Sequence, residues 1–419
     1  MAARLTHEDA RLPGLLRLVN SVASGAAKLG IKRGPLNAER ILESVTRSTG
    51  HSDFGAGDVV EPLGRLVDAL EREARLTPVG HQTVQATITQ TLTKRLRIVD
   101  HVKSHPELQR EEIRRPIFVL GFPRTGTTLL FNLLAQDPAA RPLLGWEAFQ
   151  PLPPGAVRPG RRDPRIDEYA RKLRGMDYLA PYLRKLHPMT AEGPEECNLL
   201  LMRSLVTWFF GMQYRVPSYT EWLWSCPRSV HEATYRLHRD QLRILQAQNR
   251  GGHWLLKSPS HLNTMGAIAE VYPDACFVQT HRDLAKVFPS ACSLFAVARR
   301  MCSDDVQPES FGRESLIEAE RTLSGLLQVR ESLPASRVVD VRYADFVREP
   351  LGTVQRIYDH FSLALPEDLE TRIDHWMKAN PKNKSGAHRY TLEAFGTNRA
   401  KIDEISAAYR ERFEIPRED

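Results

Sequence analysis

The stretch that decides the fold is IFVLGFPRTGTTLLFNLL, residues 117–134. It begins as an apolar run rich in β-formers, continues as a turn with two glycines and ends as an apolar helix. A strand that enters a helix through such a turn presents backbone N–H groups to phosphate oxygens. The turn matches the phosphate-loop pattern G-x-x-x-x-G-K-[ST], except that Thr127 occupies the lysine position. Its cation is Arg124, inside the turn.

The bulk composition is that of a globular protein. The chain has 419 residues, of which 42% are hydrophobic and 26% are charged, so one large domain with a satellite, or two domains, is expected. No apolar run approaches the roughly 18 residues of a membrane span. The first 30 residues contain early acids and no hydrophobic region typical of a secretory signal. Five cysteines without a C-x-x-C pair fit a reducing compartment, which predicts a cytoplasmic protein.

The charge balance favours an anionic partner. The formal net charge is +7 and the isoelectric point is near 9.2. Such a balance suits nucleic acid, an anionic lipid surface or a phosphorylated small molecule. The basic residues are dispersed and do not alternate with aromatic residues, which argues against nucleic acid.

Four short apolar runs alternate with helical stretches and predict a parallel α/β sheet covered by helices on both faces. These runs lie at residues 116–121, 253–258, 275–281 and 337–343. With the loop described above, the predicted fold class is a P-loop-like α/β sheet flanked by helices.

The chain divides into two predicted domains. Residues 1–112 place apolar residues at three- and four-residue steps and predict an N-terminal helical cap. Residues 113–419 form the predicted α/β domain, with a helical insertion at about 150–250. The insertion opens with a proline-rich loop and becomes rich in aromatic residues, which either pack a core or form the wall of an apolar pocket.

The loop differs from that of an ATPase in its cation. Thr127 and Thr128 can add hydroxyl donors to the backbone nest, but no lysine reaches toward a β/γ-phosphate and no strand clearly ends in a magnesium-binding aspartate. This combination suits a donor with one phosphate to hold. No histidine or carboxylate spacing indicates a metal site, so none is predicted.

The segment PIFVLGFPRTGTTLLFNLLAQDP, residues 116–138, resembles the 5′-phosphosulfate loop of sulfotransferases that use PAPS, 3′-phosphoadenosine 5′-phosphosulfate. The resemblance implies that PAPS is the donor and PAP the product. It also implies that the loop holds the donor through Pro123, Arg124, Thr125, Gly126, Thr127 and Thr128.

Further segments resemble the same family in the same order. Arg282, with Ser290 eight residues later, resembles the family's 3′-phosphate site, and Tyr343 resembles the tyrosine that approaches the adenine. The segments WLLKSPSHL (254–262) and GPEECNLL resemble the bacterial branch, which carries an N-terminal helical extension. The C-terminal segment containing Lys384 would complete the phosphate contacts. It lacks the Arg-Lys-Gly run of the animal cytosolic enzymes.

Sulfuryl transfer is an in-line displacement in which negative charge grows on the leaving phosphate. Positioning and charge stabilisation therefore dominate its catalysis. Arg124, inside the loop, and Lys257, at the end of the neighbouring predicted strand, are the candidates for that stabilisation.

The acceptor hydroxyl must also lose a proton to a general base. Glu147 resembles the base glutamate of tyrosylprotein sulfotransferases, with about two extra residues before it. His261 follows Lys257 by four residues and resembles, at wider spacing, the Lys-and-His pair of the cytosolic enzymes. Glu195 and Glu196 are the next candidates, although acids at a helix start are commonly structural.

The favoured function is transfer of a sulfuryl group from PAPS to the hydroxyl of a small acceptor. The aromatic insertion suggests that this acceptor is apolar, either lipid-like or aromatic. Two alternatives remain at this stage: a P-loop kinase that uses magnesium-ATP, and a catalytically inactive nucleotide-binding module. The sequence leaves open the identity of the acceptor, the choice of base and the oligomeric state.

Overall fold

The computed structural model describes residues 12–28, 34–155, 160–180, 183, 188–381 and 391–418. Within these residues, five parallel strands form one sheet in the order β2-β3-β1-β4-β5. The strands are β1 (Ile117–Gly121), β2 (Ala140–Pro142), β3 (His253–Lys257), β4 (Cys276–His281) and β5 (Val338–Arg342).

The predicted fold class is confirmed, and the four predicted strands lie within a residue or so of their expected bounds. The strand missed by the sequence is β2, a three-residue edge strand that pairs with β3. It contains Pro142 and has no β-branched residue, so its pattern is not that of a strand. Its extended form depends on the neighbouring strand.

The register at the centre of the sheet brings the predicted motifs to one edge. Every residue of β1 is buried, as expected for a parallel strand covered on both faces. Val119 of β1 lies beside Lys257 of β3, and Gly121 lies beside Thr280 of β4. The carboxyl ends of three strands therefore meet where ligands bind in open α/β sheets.

The regular secondary-structure elements of the described N-terminal region are helices. It comprises α1 (Gly14–Lys28), α2 (Ala38–Thr49), α3 (Val60–Arg72) and α4 (Pro78–Ser104). Asn37 caps the start of α2 by accepting from the Arg40 backbone N–H at 2.7 Å, and Gly50 ends the helix with a left-handed φ of 74°. The division of the chain near residue 112 remains a prediction.

The other helices surround the sheet and build the insertion. Helix α5 (Thr127–Leu134) follows the loop. Helix α6 (Gly145–Phe149) lies just before the insertion, and the insertion contains α7 (Pro164–Leu179), α8 (Asn198–Leu201), α9 (Phe209–Gln213), α10 (Pro217–Ser225) and α11 (Arg228–Gln248). The later helices are α12 (Met265–Val271), α13 (Leu284–Arg300), α14 (Pro308–Ser332), α15 (Tyr343–Arg348), α16 (Pro350–His360), α17 (Leu369–Ala379) and α18 (Arg399–Arg412).

The helical cap and the insertion share one hydrophobic core. Its buried members include Ile41, Leu66 and Leu92 from the cap and Phe210, Tyr219 and Leu223 from the insertion. Because burial of apolar surface is the main favourable term in folding, this shared core joins the two regions.

A buried arginine of α4 reinforces the junction between cap and insertion. The Arg95 side chain donates to the carbonyl oxygens of Phe54 at 2.8 Å, Gly57 at 3.1 Å and Ser204 at 3.2 Å. Five N–H donors in a fixed fork allow one guanidinium to satisfy several carbonyl groups at once. Arg95 thereby connects two loops that are distant in sequence.

A buried histidine makes the stability of the fold sensitive to acid. His238 of α11 bonds through Nδ1 to the hydroxyl of Tyr272 at 2.8 Å, and burial lowers its pKa to about 3. Below about pH 6.5 the His238 ring therefore binds a proton in the unfolded chain but stays neutral in the folded protein. Stability contributed by the neutral ring is present above that pH and is lost progressively as the pH falls toward the folded-state pKa.

We expect the variant His238→Gln to show a shallower loss of stability with acid than the wild type. Between about pH 6.5 and about pH 4 the difference in slope should reach about 1.4 kcal/mol per pH unit. Urea unfolding over this range measures it, with His360→Gln, at an exposed position, as the control. Equal slopes for wild type and His238→Gln would show that the ring takes up its proton without unfolding.

Candidate active site

The loop between β1 and α5 has the backbone geometry of a nest for an anion. Arg124 and Gly126 have left-handed φ angles of 74° and 93°. A Cβ atom on Gly126 would lie 2.9 Å from Cδ2 of Tyr343, so only glycine fits between the loop and that ring. The Arg124 side chain is exposed at the loop.

Thr125 holds the loop against the neighbouring strand. Its hydroxyl lies 2.6 Å from the carbonyl oxygen of Phe122 and 2.6 Å from the hydroxyl of Thr280 on β4. These internal contacts give the buried side chain a positioning role. Thr127 is also buried at the start of α5, whereas Thr128 is exposed. The donor contacts predicted for Pro123 and these threonines remain predictions.

Lys257 at the end of β3 meets the loop and the segment before α8. Its Nζ lies 3.4 Å from the hydroxyl of Thr128 and makes an ion pair with Glu196. Glu196 also accepts from Nδ2 of Asn198 at 2.6 Å. The backbone N–H of Cys197 donates to the carbonyl oxygen of Lys257 at 2.8 Å, which fixes this segment on the sheet. The structure thus brings together a lysine, a carboxylate and the loop.

Glu147 occupies a buried ion pair on α6. Its two carboxylate oxygens accept from the guanidinium of Arg141 at 2.8 Å and 2.6 Å, and one of them also accepts from the backbone N–H of Leu144 at 3.1 Å. Only 2% of its side chain is exposed. These contacts occupy the carboxylate and do not favour the base role predicted for Glu147.

His261 lies in the core beneath the sheet. Its Nδ1 pairs with the hydroxyl of Tyr235 at 2.7 Å, and its ring packs edge-on against Phe118. The side chain is buried, and this burial lowers its pKa well below the usual range. A ring without access to solvent is poorly placed to receive a proton from an acceptor, so the structure does not favour this predicted base either.

Arg282 and Tyr343 meet beside the loop. The Arg282 guanidinium lies 3.9 Å from the centre of the Tyr343 ring, and its Nη1 lies 3.4 Å from the carbonyl oxygen of Arg124. Ser290 lies two turns into α13 and is half-buried. Lys384 lies outside the described residues.

No sequence pattern predicts the partner of Arg282. Both carboxylate oxygens of Glu418 accept from this guanidinium, at 2.9 Å from Nε and 2.8 Å from Nη2. The backbone N–H of Glu418 donates to Asp283 at 2.8 Å, which holds the C-terminal segment there. A carboxylate therefore binds the Arg282 guanidinium, the group that the resemblance assigns to phosphate binding.

An apolar cavity of about 270 Å³ adjoins the loop. Three loop residues, Gly121, Phe122 and Pro123, line one side. The other lining residues come from the insertion, from the segment after β3 and from α13 and α14, and they include Trp208, Met212, Leu262, Val287, Phe288 and Phe295. The insertion therefore lines an apolar pocket, although several of its aromatic residues pack the core instead.

The described residues contain no group of three or more histidine, cysteine, aspartate or glutamate side chains arranged to hold a metal ion. Among the described helices, none combines the length and the hydrophobicity of a membrane span.

The fold and the loop define the class of the protein. A model of the sulfotransferase family matches residues 116–367, which include the whole sheet and the loop. The chain belongs to the sulfotransferase family, as its sequence resemblance predicted.

The chain is similar to several mycobacterial sulfotransferases. The chain is 26% identical over 299 residues to the omega-hydroxy-beta-dihydromenaquinone-9 sulfotransferase Stf3 of Mycobacterium bovis and of Mycobacterium tuberculosis, covering 69% of this chain and 72% of each relative. The crystal structure of sulfotransferase STF1 from Mycobacterium tuberculosis H37Rv is 31% identical, with a TM-score of 0.78 over 90% of this chain and 100% of that one. Sulfotransferase STF9 from Mycobacterium avium is 28% identical, with a TM-score of 0.82 over 91% and 97%.

We expect Glu147→Gln to destabilise the protein more than it impairs the chemistry. The change leaves the Arg141 guanidinium buried without its counter-charge, which typically costs about 3–5 kcal/mol. Urea unfolding measures this loss, and turnover is normalised to the folded fraction. The double variant Arg141→Leu/Glu147→Leu, which leaves neither charge, is the control and should recover much of the stability. A turnover loss of about 10²–10⁴-fold at unchanged stability would instead establish Glu147 as the base.

Proposed function

We propose that this sulfotransferase moves a sulfuryl group from PAPS to the hydroxyl of a small apolar acceptor held in the cavity beside the loop. The observation that carries this proposal is that one turn serves both sites. Gly121, Phe122 and Pro123 line the apolar cavity, and the same turn continues into the nest at Arg124 and Gly126. A sulfur atom at the end of the donor's 5′-phosphate would therefore lie next to the mouth of the cavity.

The donor is held by complementary charge at both of its phosphates. The backbone nest and the start of α5 suit the 5′-phosphate. Arg282, stacked on Tyr343, suits the 3′-phosphate, since a guanidinium binds phosphate through two parallel hydrogen bonds. In the structure the Glu418 carboxylate takes that place. The Glu418 carboxylate and the 3′-phosphate of the donor then compete for Arg282.

The acceptor class rests on the cavity and on the relatives. The cavity wall is mostly apolar and aromatic, which suits an apolar molecule with few polar groups. The Stf3 relatives are named for a menaquinone-derived lipid that carries a hydroxyl group. A lipid-like alcohol is therefore the acceptor class that we propose.

Glu196 is the general base that the geometry supports best. Its carboxylate contacts Lys257, and Lys257 lies 3.4 Å from the hydroxyl of Thr128 in the first turn of α5. The carboxylate therefore lies close to the nest, and 12% of its side chain remains exposed. Glu147 and His261, in contrast, are buried, with 2% of the Glu147 side chain exposed and His261 in the interior.

The proposed reaction follows from these positions. Glu196 takes the proton of the acceptor hydroxyl while that oxygen forms a bond to sulfur. The bond between sulfur and the oxygen of the 5′-phosphate breaks at the same time, and PAP leaves with the electron pair. Lys257 and Arg124 stabilise the charge that grows on the leaving phosphate. In the family, PAPS supplies the sulfuryl group, and no step proposed here passes through a metal.

Binding of PAP tests the donor site. Arg282→Ala should weaken PAP by about 1.5–3 kcal/mol, the scale of a hydrogen bond to a charged group, and leave adenosine 5′-phosphosulfate nearly unchanged. Glu418→Ala should tighten PAP, because a competing carboxylate is removed. Glu411→Ala, which removes an exposed carboxylate of the same C-terminal region, is the control. Calorimetry measures all three. If Arg282→Ala weakens both nucleotides equally, the arginine has a structural role only.

Turnover tests the function and the base together. The wild type should transfer labelled sulfate from PAPS to long-chain alcohols. Glu196→Gln should keep its PAP affinity while kcat falls by about 10²–10⁴-fold, and a more acidic phenolic acceptor should restore part of the rate. Lys257→Ala should lower kcat by about 10²–10³-fold.

The control for Glu196 is Glu192→Gln, which changes an exposed carboxylate four residues away. Normal turnover of Glu196→Gln would place the base elsewhere without affecting the assigned reaction. Absence of transfer by the wild type to every alcohol and phenol, despite tight PAP binding, would support the inactive-module alternative.

A further inference from the structure

Helix α1 carries an apolar stripe that faces away from the described part of the protein. The exposed fractions are 65% for Leu15, 61% for Leu18, 44% for Val19 and 64% for Val22. The spacing of three, four and seven residues places these four side chains on one face of the helix. A contiguous exposed apolar face of this kind is typical of a surface that binds another molecule or a membrane.

A neighbouring face of the helix holds α1 on the cap. Leu12, just before the helix, and Asn20 are buried, and Oδ1 of Asn20 accepts from the backbone N–H of Val79 at 2.9 Å. This bond joins α1 to the first turn of α4. The exposed stripe is therefore a fixed surface of the folded protein and not the consequence of an undocked helix.

The charge around α1 selects the kind of partner. Within α1 the sequence contains the cations Arg17 and Lys28 and no acidic residue. An amphipathic helix with apolar and cationic residues suits the boundary between headgroups and acyl chains of an anionic membrane. A second copy of this chain would instead bring like charges together, which opposes association through this helix.

We propose that α1 docks the enzyme on an anionic lipid surface, with the stripe of Leu15, Leu18, Val19 and Val22 in the headgroup region. The attachment of α1 connects this surface with the acceptor cavity. Val79 lies two residues after Thr77, whose backbone N–H donates to the carbonyl oxygen of Cys302 at 2.9 Å, directly beyond α13. Helix α13 lines the cavity.

Docking explains how an apolar acceptor dissolved in a bilayer would reach a cavity of this protein. Only this delivery of the acceptor to the cavity rests on the proposed function; the binding of α1 to lipid does not. Binding to lipid can be measured without nucleotide or acceptor, so its failure would leave the proposed reaction untouched, and the converse also holds.

Vesicle co-sedimentation tests the proposal. The wild type should bind vesicles of phosphatidylglycerol and phosphatidylcholine, and it should bind pure phosphatidylcholine vesicles more weakly. It should dissociate from the anionic vesicles as the salt concentration is raised. The double variant Leu18→Gln/Val22→Gln should lower the partition coefficient between water and vesicles at least about tenfold. The reason is that two apolar side chains no longer gain free energy by moving from water into the membrane. The matched control Val60→Gln/Leu365→Gln removes two exposed apolar side chains outside α1 and should bind as the wild type does.

Two further measurements separate the remaining outcomes. Arg17→Glu, at an exposed position of α1, should weaken binding to the anionic vesicles while circular dichroism shows an intact fold. Leu18→Gln/Val22→Gln should sulfate a water-soluble phenol at the wild-type rate and an alcohol embedded in vesicles more slowly. Equal vesicle binding by wild type and double variant would overturn the proposal. A wild-type dimer that this variant converts to a monomer in analytical ultracentrifugation would also overturn it, because a second copy would then cover the stripe.

Discussion

The parallel pairing of β1 between β3 and β4 is the constraint on which the site depends. The pairing places the end of β1 beside Thr280 and the end of β3 beside the loop. The hydroxyl pair of Thr125 and Thr280 then fixes the loop on β4. A shift of one residue in this register would turn Lys257 to the opposite face of the sheet, because side chains alternate along a strand. The observed register therefore brings Lys257 and the loop to the same edge of the sheet.

The protein uses two carboxylate–cation pairs in different ways. Arg141 and Glu147 are both buried, and three hydrogen bonds satisfy the carboxylate, so this pair stabilises the junction of β2 and α6. Glu196 and Lys257 lie at the carboxyl edge of the sheet, next to the loop. The chemistry of the side chains is the same in kind. The exposed fraction of the carboxylate, 12% for Glu196 against 2% for Glu147, distinguishes the pair that we propose for catalysis.

Cap and insertion contribute to function through packing. The core that they share positions Trp208 at the boundary between the hydrophobic interior and the apolar cavity. Arg95 ties the same region to the loop near Phe54. The cap thereby supports one wall of the apolar cavity, and it carries α1 on its outer surface.

Local sequence patterns predict the strand, loop and helix of residues 117–134 and four of the five strands in the described residues, because apolar runs and glycine turns are local signals. Which carboxylate meets which cation depends on contacts between distant parts of the chain. Glu196 and Lys257 are 61 residues apart, and Arg282 and Glu418 are 136 apart. Glu147 and His261 have suitable chemistry for a base, but their burial depends on the packing of distant elements. The short strand β2 likewise depends on a distant partner, since its edge position beside β3 supplies the hydrogen bonds that its own residues do not predict.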